Sequence, residues 1–458
     1  MDFTEKFQQA LRIPTFFPAH SDTAIAEHEE ELSRFQDLLV ELFPVFHSAA
    51  ERWVLSPYSV VYKLSGSEAG VNAILFTAHY DVVPVEKEKW NTDPFGAKIK
   101  DGFVYGRGSL DMKSTLCCIL EAAEDICIQG QKPKRDIWFA FGGDEERGGY
   151  SGAFKTAQWL ENRGLHFEWV LDEGSPIADN HIRDIDTPLA LISLEEKGNL
   201  SLNLTVEQEP GHASRPPKVQ AAAILARALC RIEKKPFPYK LGKTVEMFLA
   251  AAGKYIPGIK GFVMRHARAF SIVFGSLFFK IAAANPSIEA MLKTTVAMTM
   301  LEGSTADNVM PSQVRAVINL RLLYPWTVES ATEFIRKAIN DKRVQISFYE
   351  PGADSTAAFT FSKDKRNPKI SSDSAQNGWK EIFSAMNEVY PGIPLLPFIM
   401  VAITDSRHYK NLTNNIFRFS PQKLNPDELN RVHGHDERIS LENLNNELLF
   451  YTHLLRLI

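Results

Sequence analysis

The sequence predicts an α/β protein of two domains: a mostly parallel, helix-covered sheet, with a smaller α+β domain inserted into it. Three observations carry that prediction. The chain has 458 residues, more than a single core commonly serves. As far as Lys197, apolar strand-like runs alternate with segments of helical period. Beyond Lys197 the runs change to apolar–polar alternation, the mark of a sheet with one solvated face.

Each element follows from its pattern. Leu32, Phe35, Leu38, Leu39 and Leu42 recur at helical spacing within residues 2–47, which predicts amphipathic helices packed outside the first domain. Residues 60–64 and 73–77 read as neighbouring strands joined by the turn Ser65-Gly66-Ser67. Then come a helix at 113–128, a strand at 136–142, a helix at 149–163, and a short strand at 169–171 ending in Asp172-Glu173-Gly174. In the inserted part, 200–206 and 314–321 alternate as half-exposed strands, with helices at 221–232 and 328–340 and a strand at 344–349. From about Ser371 a helical pattern returns, followed by strands at 395–401 and 416–419 and a final helix from about Leu441. The expected division is 1–197 with 353–458 for the larger domain and 198–352 for the inserted one, with an apolar helical insert near 240–300.

Composition narrows the function classes. Hydrophobic residues at 45% and charged ones at 23% are ordinary globular values. A net charge of −5 and a pI near 6.2 supply no field for a polyanion, so nucleic acid is not expected as a partner. Cys117, Cys118, Cys127 and Cys230 lack CxxC or disulfide-scaffold spacing, and the adjacent Cys117 and Cys118 read as reduced core residues. The opening Met-Asp-Phe-Thr-Glu-Lys has no basic-then-apolar leader, so a cytoplasmic location is expected, with a secreted protein lacking its leader as the alternative.

The apolar run 269–279, flanked by Arg265, Arg268 and Lys280, is too short for a bilayer span, which takes roughly 20 residues. Within 262–284 a buried helix is the expected state. A lipophilic pocket or an interfacial membrane helix are the alternatives.

Several runs end in side chains that bind metal or move protons. His79 and Asp81 are two apart at a strand end, so they share a face, and a carboxylate is the usual holder of a metal-bound imidazole's second nitrogen. Glu145-Glu146 follows the buried-looking run 137–142, which suits one metal-binding carboxylate and one free to accept a proton from water. Asp111, after Gly106-Arg107-Gly108, is placed to bridge two ions, and Asp172 or Glu173 can supply a further ligand. His433, in Arg431-Val432-His433-Gly434-His435-Asp436-Glu437, completes the candidates. A histidine and carboxylate set without cysteine suits Zn2+, with Co2+ or Mn2+ as weaker choices.

These segments closely resemble the M20 family of metallopeptidases and aminoacylases. His79-Tyr80-Asp81-Val82-Val83-Pro84, Gly106 to Lys113 and Asp144-Glu145-Glu146 are similar to its three signature blocks. Gly211-His212-Ala213-Ser214, Asp307 to Pro311, Thr404-Asp405-Ser406-Arg407 and the His433 segment are similar to its later ones. Glu195-Glu196-Lys197-Gly198, the insert at 240–300 and Thr404 to Tyr409 resemble the carboxypeptidase S and N-fatty-acyl-amino-acid synthase/hydrolase branch.

The resemblance implies a zinc-peptidase-like catalytic domain and a ferredoxin-like α+β lid and dimerisation domain. It implies two zinc ions per subunit, with His79 and Asp172 on one, Glu146 and His433 on the other, and Asp111 bridging. Glu173 and His435 stand as alternatives to Asp172 and His433. Asp81 is expected to orient His79, Glu145 to act as general base, His212 to stabilise the oxyanion, Asn308 to assist the same carbonyl, and Arg407 to clamp the substrate carboxylate. The implied activity is hydrolysis of an amide next to a free carboxylate, in an N-acyl amino acid or a small peptide, by a possible homodimer. A non-catalytic receptor retaining the fold is the reading from another class, and it leaves Glu145 without a purpose.

Overall fold

The computed structural model of the chain describes residues 1–17, 22–178, 185, 187–349 and 378–458. In chain order the principal strands are β1 (Glu51–Ser56), β2 (Ser59–Leu64), β3 (Ala73–His79), β4 (Ile137–Gly142), β5 (Phe167–Ala178) and β6 (Ala190–Glu196), then β7 (Gly198–Glu207), β8 (Thr295–Glu302), β9 (Gln313–Leu322), β10 (Gln345–Phe348), β11 (Leu395–Met400) and β12 (Ile416–Leu424). One sheet has the order β1-β2-β4-β3-β5-β12-β6-β11. Its centre is parallel, from β4 through β3 and β5 to β12, and β11 is parallel to β6. β1 and β2 make the antiparallel edge.

Side-chain alternation serves both faces of this sheet. Along β3, Ile74 and Phe76 enter one core while Leu75 enters another. The helices Phe3–Leu11, Lys113–Ile128 and Leu441–Leu457 close the first core with Leu11, Leu116, Leu120, Phe450 and Leu454. Ala153–Glu161 closes the second with Ala157 and Leu160. Burying each such large apolar side chain contributes about 1.5–3 kcal/mol. A sheet covered on both faces sends its functional groups to the strand ends.

Two expectations about strands are corrected. β2 and β3 are not neighbours, because the crossover helix Lys113–Ile128 returns β4 parallel to β3, and β4 takes the place between them. The turn at Ser65-Gly66-Ser67 instead caps the entry to β4, with Ser67 and Glu68 N–H donating to the carbonyls of Pro133 and Lys134. β5 is also longer than its apolar run, continuing past Gly174 beside β12 through an irregular register. Gly174 permits that approach, since a Cβ there would lie 2.2 Å from the carbonyl carbon of Arg418.

The four-stranded sheet β8-β9-β7-β10 is antiparallel throughout. Leu200, Leu202, Leu204 and Val206 of β7 face the helices Ala221–Lys234 and Val328–Ile339, while Asn203 and Thr205 point to the wetter side. β8 is an element the sequence pattern hides: Met298, Met300 and Leu301 are exposed on this edge strand, so apolar and polar positions do not alternate. The expected boundary at 352/353 and the start of the helical pattern near Ser371 lie outside the described residues, and Trp379–Val389 is helical.

The insert near 240–300 contains the helices Lys243–Ala252, Gly258–Arg265, Ala267–Phe274, Ser276–Ala282 and Pro286–Leu292. Val245, Phe248 and Leu249 pack on Leu191 of β6 and on Leu396 and Ile399 of β11. A buried helix over 262–284 is not what forms. Gly275, at φ 45°, divides the segment into helices of eight and seven residues whose inner sides alone, through Ala267 and Phe278, reach the core. No helix among the described residues is long and apolar enough to cross a membrane.

Candidate metal centre

The strand ends converge on Asp111. β3 delivers His79 beside Gly142, the last residue of β4, and the turn after β4 carries Glu145 and Glu146. Asp111 Oδ1 lies 3.0 Å from His79 Nε2, and its Oδ2 lies 3.0 Å from His433 Nε2. Glu146 Oε1 is 3.1 Å from the same His433 nitrogen, and Glu173 Oε2 is 3.6 Å from His79 Nε2. Ligand atoms gather within 4.8 Å of one another in three overlapping groups: His79, Asp111 and Glu173; His79, Glu145 and Glu146; Asp111, Glu146 and His433.

The electrostatics favour a bound cation. Burial, with the charge of Glu173, holds the Glu145 carboxyl well above the usual carboxylate range. Burial, with the charge of Asp111, raises Glu173 to about 8. Glu146 is raised by burial as well. His433, hydrogen-bonded to Asp111 and Glu146, is raised to about 10. Burial opposes protonation of His79, yet the charge of Glu173 and the bonds to Asp111 and Asp81 raise it. Close-set carboxylates that resist ionising, with imidazoles that hold protons to balance them, form a donor set that metal ions at the same atoms would neutralise. Nitrogen and oxygen donors without sulfur fit zinc, cobalt or manganese.

Asp81 does more than orient an imidazole. Its Oδ1 and Oδ2 accept from the N–H groups of Glu145 and Glu146, both at 3.1 Å, which fixes the turn bearing those carboxylates. His79 Nδ1 lies 3.0 Å from the Asp81 carbonyl oxygen and 3.4 Å from Oδ1. One residue therefore sets three others.

Neighbouring candidates separate cleanly. Glu173 joins the cluster, whereas Asp172 accepts from the Ser406 N–H at 2.8 Å. Glu173 is thus the side chain beside His79, while Asp172, its neighbour on the strand, faces the other side. Asp172 instead holds the loop that carries Arg407. Glu196 assists by accepting from the Thr404 N–H at 3.1 Å while pairing with Arg418 at 2.8 Å. Arg407 donates to the Gly148 carbonyl at 2.7 Å. His435 turns away, toward Glu86 at 3.6 Å.

Arg107 and Glu437 are functional residues the sequence reading left without a role. Both are buried and paired, and Arg107 also donates to the carbonyls of His433 and Gly434 at 3.1 and 3.0 Å. Glu437 Oε1 accepts from the N–H groups of Leu110 and Asp111 at 2.8 and 3.3 Å. The pair fixes Asp111 and His433 together, and it supports the left-handed backbone of His433 at φ 60°, a conformation that costs about 1–3 kcal/mol. The signal available was the arginine inside Gly106-Arg107-Gly108, a charged residue where the backbone packs too closely for solvent. Gly108, at φ 86°, would bring a Cβ within 2.8 Å of Val82.

His212 and Asn308 are brought to each other but not to the cluster. The short strands Gly211–His212 and Val309–Met310 pair, and Ala213 N–H donates to the Asn308 carbonyl at 2.9 Å. His212 Nδ1 lies 2.8 Å from Ser214 Oγ, beside an open cavity of about 800 Å3 lined by Glu209, Pro210, Arg215 and Met310. Among the described residues, no hydrogen bond or ion pair joins this ribbon to the Asp111 cluster.

A doubly covered, mainly parallel sheet that presents histidines and carboxylates at its strand ends defines a metallohydrolase fold. The profile of peptidase family M20/M25/M40 matches residues 75–457, and the chain belongs to that family of metallohydrolases. It is 34% identical over 460 residues to the N-fatty-acyl-amino acid synthase/hydrolase PM20D1 of Xenopus tropicalis, covering 99% of this chain and 85% of that protein. It is 31% identical over 459 residues to the probable carboxypeptidase S-like 2 of Dictyostelium discoideum, covering 100% of this chain and 85% of that one. Among solved structures, the M20 family metallo-carboxypeptidase Sso-CP2 from Sulfolobus solfataricus shares the fold at a TM-score of 0.69 and 17% identity, over 100% of this chain and 99% of that one. Human carnosine dipeptidase 1 does so at 0.65 and 14%, over 99% and 95%.

Proposed function

We propose that the protein is a zinc-dependent amidohydrolase that cleaves N-acyl amino acids, long-chain ones included, at the amide next to the free carboxylate. The observation that carries the hydrolytic reading is Asp111 held between His79 and His433 at 3.0 Å on either side, with Glu145 alongside. The acyl-amino-acid substrate is supported by the 34% identical relative, an N-fatty-acyl-amino acid synthase/hydrolase.

In this reading His79 and Glu173 would hold one ion and Glu146 and His433 the other, with Asp111 between them. Zinc bound there supplies a Lewis acid for the amide carbonyl and lowers the pKa of an attacking water to about 7. Glu145, beside His79 and Glu146, would take the proton from the attacking water and return it to the leaving amine. Asp81 keeps Glu145 in reach through its backbone N–H. Arg407 receives the substrate carboxylate with its planar guanidinium. His212 and Asn308, on the inserted 198–352 unit acting as lid and dimerisation domain, meet the developing oxyanion once that unit is brought over the site.

Hydrolysis of N-acetyl and N-oleoyl amino acids and of matched dipeptides, by zinc-loaded and chelated enzyme, tests the substrate class. Chelator-sensitive cleavage of the oleoyl amino acids is expected. Turnover of dipeptides alone would favour a carboxypeptidase, the second reading, which the 31% identical carboxypeptidase S-like relative supports. Glu145→Gln is expected to lower kcat by about 10²–10⁴-fold while keeping metal and fold. Unchanged turnover in that variant would remove Glu145 from the mechanism.

A further inference from the structure

The helices Gly258–Arg265, Ala267–Phe274 and Ser276–Ala282 turn an apolar ridge away from the fold. Ile259 is 83% exposed, Ile272 75%, Val273 73%, Ile281 67% and Leu277 55%. Phe262 and Phe274, each about half exposed, are joined through Phe270, with ring centroids 6.1 and 5.5 Å apart, so the ridge is continuous. The inner sides of these helices are anchored, with Met264, Ala267 and Phe278 buried among Phe248, Leu249 and Ile399. The ridge is therefore held in place without its outward side chains being covered. Exposed apolar patches of this kind mark sites where a protein meets another surface.

Charge identifies that surface. In a chain of net charge −5, no acidic residue occurs between Glu246 and Glu289, while Lys254, Lys260, Arg265, Arg268 and Lys280 fall in that interval. Apolar side chains flanked by basic ones, with Glu246 as the acid among them through its pair with Arg268 at 3.1 Å, match the acyl boundary and headgroups of an anionic bilayer. A second copy of the chain fits less well, since two such faces would set basic residues against basic residues. The helices are too short to span, and Gly275 bends the chain between them, so they lie along an interface rather than across it.

We propose that residues 258–282 form a lipid-docking surface that seats the protein on an anionic membrane leaflet. Ile272, Val273, Phe274, Leu277 and Ile281 enter the acyl boundary, and the five basic residues lie at headgroup level. The docking surface does not depend on which amide is cleaved.

Vesicle flotation of the full chain tests this, using phosphatidylcholine with and without phosphatidylserine. The wild type is expected to float with the anionic vesicles, less so as salt rises, and not with phosphatidylcholine alone. Ile272→Gln combined with Leu277→Gln is expected to weaken flotation about tenfold, with an unchanged melting temperature, since both side chains are exposed. Lys260→Glu with Lys280→Glu is expected to abolish the preference for phosphatidylserine. A wild type that stays with the soluble fraction, or variants that float as it does, would overturn the proposal. So would a dimer in sedimentation that the Ile272→Gln/Leu277→Gln variant dissolves, because a second copy would then be the occupant.

Discussion

At the scale of single residues, adjacent acids on one strand have opposite duties. Asp172 and Glu173 are chemically near-equivalent in sequence, and only the direction each takes from β5 separates them. Glu173→Gln is expected to lose about half of the bound metal on dialysis, because the reading above gives it one of two ions. Asp172→Asn is expected to keep both ions and raise KM through the loop carrying Arg407. Elemental analysis beside steady-state kinetics distinguishes the two, and equal metal loss would show that the strand end holds both acids at the site. The family blocks let His79, Asp111, Glu145, Glu146 and His433 be named together; short strand–turn spacings carry the first four, and Arg107 reaches across the chain to the His433 carbonyl. Choosing between Asp172 and Glu173 was not possible beforehand, since it depends on the irregular pairing of β5 with β12, a contact 245 residues or so away in sequence.

At the scale of elements, most helices and strands could be read because period and burial agree. β3, with its alternate residues in two cores, is the clearest case. Two of the failures share a cause: β8 and the helices around Gly275 place apolar residues in the open, where pattern implies a core. The final helix shows a subtler device. Glu447 is fully buried where Leu441–Leu457 meets the sheet, accepting from Thr115 Oγ1 at 2.5 Å and from Gln422. Burial pushes its carboxyl up to about 7 from 4.5. A raised folded value means the protonated group stabilises below the unfolded pKa, and that contribution is lost as pH rises through about 7. Urea melts at about pH 5 and pH 8 should show the wild type weakening relative to Glu447→Gln on the order of 2 kcal/mol, at about 1.4 kcal/mol per unit. A constant difference between the two proteins would place the proton elsewhere.

At the scale of the molecule, the proposed metal site links metal to fold, because the candidate ligands come from β3, from the turns after β4 and before Lys113, from β5 and from the segment around His433. Ions that bind only this assembled set stabilise it by mass action, about 2.7 kcal/mol per site at a hundredfold excess over Kd. Removing them with a chelator is expected to lower Tm by several degrees and to restore it on adding zinc, as calorimetry would show. An unaltered Tm would mean that the carboxylate cluster is satisfied by protons alone. The tie between Arg107 and Glu437, 330 residues apart, has a consequence for biosynthesis. A nascent chain that has emerged as far as β12 already holds Asp111, Glu146 and Glu173, but it lacks His433 and the counter-charge of a buried arginine. Such a chain has a surplus of crowded acids and an arginine with no partner in a dry site, so it is unstable rather than slow. Translation that stops before residue 433 is therefore expected to yield a chain that chaperones and proteases engage rather than a shortened enzyme.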